Sequence, residues 1–168
     1  MKAISQQELL SRIQSDDPDV RTEAWLAAGD VGTAAIEPLS ALAVQGKMEV
    51  GRAARRGIWK IVRRAATPEA RDQERSAVAK ELHALLADSA YAALHRDFIW
   101  MLSEIGTDSD AETIGALLSN PELREDARCA LERIPGEKSV AALKAALEAA
   151  PDDFKPSIIQ SLRARGGL

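Results

Sequence analysis

Residues 17–32 read DPDVRTEAWLAAGDVG, and residues 120–136 read NPELREDARCALERIPG. Both stretches begin with a polar residue and a proline, and both then reach an apolar residue that is followed by an arginine. An alanine stands three positions after that arginine in each stretch. Such self-similarity is the sequence signature of a protein built from stacked structural repeats. The pattern therefore predicts further copies in the same register.

The same register runs through the whole chain and gives five copies, the last of which stops halfway. Successive apolar anchor residues are 30, 44, 29 and 31 residues apart, so three spacings agree and the second is 14 residues longer. The anchors are Val20, Val50, Leu94, Leu123 and Phe154. Within each copy, apolar residues recur at i, i+4, i+7 or i+8, and i+11, which is the spacing of a helix. The pattern predicts repeated helical units with one insertion in the second unit.

A second helical segment is expected after each of the first four helices, so that the chain forms about ten helices in antiparallel pairs. The second helices are expected at 34–44, 68–87, 111–118 and 139–149. Asp17, Thr67 and Asn120 each precede a proline, which predicts a helix cap followed by proline at the first helical position. Gly32 and Gly106 stand where helices should end.

The composition agrees with a helical protein. Hydrophobic residues make up 46% of the chain and aromatic residues only 4%. Alanine and leucine supply most of the apolar content and are strong helix formers, whereas a β-sandwich would need more β-branched and aromatic residues. No apolar run reaches the ~18 residues of a transmembrane helix, and the start lacks the apolar run of a signal peptide. With a single cysteine as well, the sequence predicts a cytoplasmic protein without a membrane partner.

The two quoted stretches resemble HEAT-type repeats, and in particular the short bacterial repeats related to those of phycobilisome lyases. The resemblance covers nearly the whole chain, and the second and third copies are the more divergent ones. It implies an all-α, right-handed superhelical α-solenoid of HEAT-like helical hairpins, an armadillo-like architecture of about ten helices. One domain over 1–168 would then consist of an opening helix at about 5–14, repeats at about 17–46, 47–88, 89–119 and 120–150, and a closing half-repeat at 151–168.

Residues that could support catalysis or metal binding are few and scattered. His83, His95 and Cys129 fall on different predicted helices, without the spacing of metal ligands. Cys129 lies beside apolar positions, as a small and partly buried packing residue would. The chain also has no glycine-rich phosphate loop. We therefore expect no catalytic residue, no metal site and no cofactor, and we interpret the protein as non-enzymatic.

One stretch is a candidate binding surface. Residues 50–66 read VGRAARRGIWKIVRRAA, with six basic residues and no acidic residue in a chain of net charge −4. At about 100° per residue, the apolar and basic residues fall on opposite sides of the helix, and Trp59 falls inside the basic arc. Trp100 also projects away from the core, and Trp25 takes the position equivalent to Arg55. The candidate partner-binding residues are Trp25, Arg52, Arg55, Arg56, Trp59, Arg63, Arg96 and Trp100.

Two interpretations of these residues stay open. Arginine stacks on indole rings, and exposed aromatic and arginine residues are enriched at protein interfaces, which favours a protein partner with an acidic surface. Alternatively, the tryptophans pack between repeats, or the insertion folds over them. We do not expect nucleic acid, because the chain is mildly acidic. In addition, the resemblance implies that ligands bind the concave face formed by the second helices.

The leading hypothesis is a non-enzymatic protein-binding scaffold or adaptor. The resemblance implies two alternatives, namely a nucleic-acid-associated solenoid similar to the HEAT-like alkylpurine DNA glycosylases and a lyase-type chaperone of a chromophore-bearing protein. Self-association through an end of the solenoid also stays open. That end would present the apolar residues Phe154, Ile158, Ile159 and Leu162.

Overall fold

The computed structural model of the protein describes residues 4–168. Over this range the chain is all-helical, with ten α-helices, several short 3-10 turns and no strand. None of the described helices combines the length and the apolar character needed to cross a membrane. The chain divides into two compact units, residues 1–94 and 95–168, and each is described by itself. The predicted all-helical class and number of helices are confirmed, while the solenoid arrangement stays a prediction.

Each unit contains five α-helices. Those of the first unit are α1 (Gln6–Ile13), α2 (Pro18–Val31), α3 (Ile36–Gln45), α4 (Met48–Ala65) and α5 (Asp72–Leu86). Those of the second unit are α6 (His95–Ile105), α7 (Ala111–Ala116), α8 (Arg124–Arg133), α9 (Glu137–Ala149) and α10 (Lys155–Ala164). In the first unit α4 packs on both α2 and α3, and in the second unit α8 packs on both α6 and α10.

The predicted helical register agrees with the burial of side chains. The residues four and eight positions after each anchor are at most 1% exposed. They are Ala24, Ala28, Ala54, Ile58, Phe98, Leu102, Ala127, Leu131, Ile158 and Leu162. Because two positions of every copy lie in a core, the repeated apolar pattern is a repeated packing pattern.

Small residues let α2 and α4 approach each other closely. Ala24, Ala28 and Gly29 of α2 are buried. A methyl group added at Gly29 would lie 3.4 Å from the main-chain oxygen of Lys60, which leaves no room for a larger side chain between the helices. This close contact brings the outward side of α2, which carries Trp25, next to the outward side of α4.

Two predicted helix starts are wrong, although the cap at Asp17 is confirmed. Helix α5 begins at Asp72 rather than at residue 68, because the Thr67 hydroxyl donates back to the carbonyl oxygen of Arg64 at 3.0 Å, in the turn after α4, and does not cap a new helix. Helix α8 begins at Arg124 rather than at residue 121, and residues 121–123 form a turn. In that turn the Asn120 side chain accepts a hydrogen bond from the main-chain N–H of Glu122, as a helix cap would. The local sequence alone therefore does not distinguish a turn at 121–123 from the first turn of a helix.

Candidate protein-binding surface

The outward side of α4 is basic, as the helical projection predicts. All six of its basic side chains are exposed, and the opposite side of the helix is buried. Five of them form the surface described below, namely Arg52, Arg55, Arg56, Lys60 and Arg63. Arg64 belongs to a different contact, because its guanidinium donates to Asp30 of α2 at 2.7 Å. The sole acidic residue of the helix, Glu49, accepts from Arg52 at 3.1 Å.

Two tryptophans lie on the same side as these basic residues, and each has an arginine over its ring. The guanidinium carbon of Arg56 is 5.6 Å from the ring centre of Trp25, and that of Arg63 is 5.2 Å from the ring centre of Trp59. Both indoles are partly exposed. Such contacts contribute about 0.5–1 kcal/mol each at exposed sites, so they order the arginines only weakly. We call the following residues the α2–α4 surface: Trp25, Arg52, Arg55, Arg56, Trp59, Lys60 and Arg63.

The α2–α4 surface contains two adjoining depressions. The smaller one, here called the arginine cleft, has a volume of about 150 Å³ and is lined by Pro18, Arg21, Thr22, Trp25, Glu49, Arg52, Ala53 and Arg56. The larger and shallower one has a volume of about 480 Å³ and is lined by Trp25, Arg56, Trp59, Lys60 and Arg63. Both are lined by α2 and α4 alone, so residues 66–94 of the longer second copy do not cover them.

The two candidate residues of the second unit, Arg96 and Trp100, are held by a neighbouring helix. The indole N–H of Trp100 donates to a carboxylate oxygen of Asp126 in α8 at 2.8 Å. The Nε of Arg96 lies 3.6 Å from the other oxygen of the same carboxylate. The guanidinium of Arg133 is 5.9 Å from the Trp100 ring centre. These contacts join α6 to α8, and the grouping of Arg96 and Trp100 with the α2–α4 surface stays a prediction.

Among the described residues, no three of histidine, cysteine, aspartate and glutamate are arranged to hold a metal ion. Cys129 is half-buried, as the sequence predicts. Burial raises the pKa of its thiol, which disfavours the nucleophilic thiolate.

Sequence reasoning missed part of the arginine cleft. Arg21, Thr22 and Ala53 were not among the candidate residues, although all three line it. Arg21 is partly buried and donates to the main-chain oxygen of Ser15 at 2.7 Å. The signal that could have found these residues is the packing of the first helix of one copy on the first helix of the next, which the repeat register implies.

Comparison with protein-family models finds no match for this chain, and comparison with curated proteins finds none either. No relative therefore supplies a function that could be carried over to the surface. The inference of function depends on the contacts, charges and depressions described above.

Proposed function

We propose that this protein is a non-enzymatic adaptor built from HEAT-like repeats, and that it binds a protein partner through the α2–α4 surface. One observation carries the proposal. Five exposed basic side chains of a single helix surround two partly exposed tryptophans, and an arginine lies over each indole. The regular burial of two positions in every copy supports the repeat architecture.

The charge of the surface indicates the character of the partner. Helix α4 carries six basic residues and one acidic residue, whereas the whole chain has a net charge of −4. An acidic protein surface would be attracted to α4, and this attraction would orient the partner as it approaches. Tryptophan and arginine are also the residues most enriched among those that dominate the binding energy of protein interfaces.

The same charges make a nucleic-acid partner the weaker proposal. A duplex presents one negative charge per roughly 1.7 Å, and binding usually requires a basic domain. Here the basic residues of α4 stand in an acidic chain with a sequence pI near 5.3. The nucleic-acid alternative is therefore an outcome of the test rather than a second proposal.

The proposal is tested by affinity capture from the native host with matched charge variants. Arg52→Glu/Arg56→Glu reverses two charges on the surface, and Lys80→Glu/Arg163→Glu reverses two exposed charges elsewhere. We expect the wild type and the control variant to capture a partner protein that the surface variant does not capture. The purified partner should bind the wild type more weakly at high salt, as measured by calorimetry.

Two outcomes would contradict this function. One is capture of the same proteins by the wild type and by the surface variant. The other is binding of arbitrary duplex DNA that weakens steeply with salt and is lost in the surface variant, which would favour the nucleic-acid alternative. Circular dichroism of each variant verifies that the helices are intact.

A further inference from the structure

Trp25 and Trp100 each lie at a contact between two helices with arginines nearby, but their indole N–H groups differ. The N–H of Trp100 donates to Asp126, and Arg96 lies beside the same carboxylate. The N–H of Trp25 is buried and has no hydrogen-bond acceptor among residues 4–168. A buried donor without an acceptor is destabilising. An acceptor from outside the chain would remove this cost only if the indole turned on binding, because solvent does not reach the N–H in this structure.

The arginine cleft beside Trp25 offers further donors to such an acceptor. Three arginines and one glutamate line it. Arg52 donates to Glu49 through one nitrogen, and Arg56 lies over the Trp25 ring and forms no ion pair within the described chain. A guanidinium has five N–H donors, so both arginines keep donors for an incoming anion.

The size of the cleft limits what it can hold. Its volume of about 150 Å³ is roughly ten times what one water molecule requires. Pockets for drug-sized ligands and cofactors begin at about 300 Å³. The cleft therefore suits one side chain of a partner and is too small for a cofactor.

We propose that the arginine cleft binds one carboxylate side chain from an acidic segment of the partner protein. Arg52 and Arg56 donate to the carboxylate, and Trp25 forms the apolar wall and turns on binding so that its N–H donates in the complex. The inference depends on the protein-binding function proposed above and names the chemistry of the partner. The rest of the acidic segment would cross the shallower depression, along Trp59 and Lys60.

One observation favours a carboxylate over a phosphate. In the second unit, the carboxylate of Asp126 accepts from the Trp100 indole N–H with Arg96 beside it. The chain itself thus contains an example of the arrangement proposed for Trp25.

The test uses the indole N–H signals in a proton–nitrogen correlation spectrum. The chain has three tryptophans, and one Trp→Phe variant for each assigns its signal. The probe is a blocked, tryptophan-free peptide with glutamate at every second position, and the control peptide has glutamine instead. We expect the glutamate peptide to shift the Trp25 signal and to leave the Trp100 signal in place, and the glutamine peptide to shift neither.

Two variants that each remove one positive charge from α4 refine the test. Arg56→Gln changes the cleft, whereas Arg64→Gln changes a residue that pairs with Asp30 and does not line the cleft. Arg56→Gln should weaken binding of the glutamate peptide about tenfold or more, because hydrogen bonds to charged groups contribute about 1.5–3 kcal/mol. Arg64→Gln should weaken it about twofold or less, as expected for a screened surface charge.

The outcomes separate this inference from the proposed function. Suppose that Arg55→Gln and Arg63→Gln weaken peptide binding while Arg56→Gln and Trp25→Phe do not. The arginine cleft is then not the carboxylate site, and the proposed protein-binding function of the α2–α4 surface stands. If a phosphoserine version of the peptide binds more tightly than the glutamate peptide, the cleft binds an anion but the assignment of that anion as a carboxylate is wrong. If the wild type binds no glutamate peptide and captures no partner, or if it binds duplex DNA more tightly than the peptide, both proposals are wrong.

Discussion

The contact between α2 and α4 and the contact between α6 and α8 follow one register but differ in the residue that lies beside the tryptophan, which stands five residues after the anchor in α2 and six in α6. The position three residues after the anchor is Asp126 in α8, where it accepts from Trp100 of α6. The equivalent position in α4 is Ala53, which lines a cleft beside Trp25 of α2. In the second unit the polar groups of this contact are therefore satisfied internally. In the first unit the buried indole N–H of Trp25 has no acceptor, and Arg52 and Arg56 keep donors for a partner.

The largest effect is expected from a substitution in the core beneath the Trp100 contact. Leu102 is 0% exposed, and Leu102→Asp would bury an unpaired carboxylate. We expect a loss of stability of about 3–5 kcal/mol, measured by urea denaturation. Thr113→Asp, at an exposed position of α7, is the control and should stay within about 0.5 kcal/mol. Equal stabilities of the two variants would contradict the helical register.

The two tryptophans should respond differently to replacement by phenylalanine, which keeps an aromatic ring and removes the N–H. Trp100→Phe loses a hydrogen bond to a carboxylate, so we expect it to cost about 1.5–3 kcal/mol more than Trp25→Phe. Urea denaturation of both variants measures this difference. A double-mutant cycle with Asp126→Ala isolates the pair, and the absence of coupling would show that the bond to Asp126 does not stabilise the fold.

Ala53→Asp tests whether one carboxylate accounts for the difference between the two contacts. The new side chain would place a negative charge in the arginine cleft and offer Trp25 an acceptor from within the chain. We expect the affinity for the glutamate peptide to fall about tenfold, since an internal carboxylate competes for the same donors. Ala53→Asn has nearly the same size without the charge and is the matched control. An equal loss of affinity in both variants would point to a steric effect instead.

The smallest effect concerns a polar contact of the first unit that is satisfied internally. The hydroxyl of Tyr91 donates to a carboxylate oxygen of Glu37 at 2.6 Å, and this hydrogen bond raises the pKa of Tyr91 to about 12. The folded state holds this proton more tightly than the unfolded state, in which the pKa is about 10. The stabilising contribution is therefore complete below about pH 10 and is lost as the pH rises to about 12.

A spectrophotometric titration measures this pKa directly. Tyr91 is the single tyrosine of the chain, so the absorbance of tyrosinate reports on it alone. Glu37→Gln removes the charge of the acceptor and should move the pKa of Tyr91 toward about 10. Unchanged titration in this variant would show that Glu37 is not the cause of the shift.

Much of the fold could be predicted because its causes are local. The alternation of buried and exposed positions repeats with the period of the α-helix. This period identifies Ala54, Ile58 and the equivalent residues of the other copies as core positions. The start of α5 was misplaced because the Thr67 hydroxyl bonds backward to α4 instead of forward to a new helix. Which main-chain group the hydroxyl bonds depends on the conformation of the whole turn and not only on the residue before the proline.

The sequence by itself determined the helical register and the basic outward side of α4, because both follow from residue spacing along one helix. Only the tertiary structure decided which tryptophan has an acceptor. Trp100 and Asp126 are 26 residues apart, and the residues that line the arginine cleft come from two different helices. Whether an indole N–H lies beside a carboxylate or beside another donor depends on how neighbouring helices pack. The residue spacing along either helix does not determine the distance between side chains on two helices.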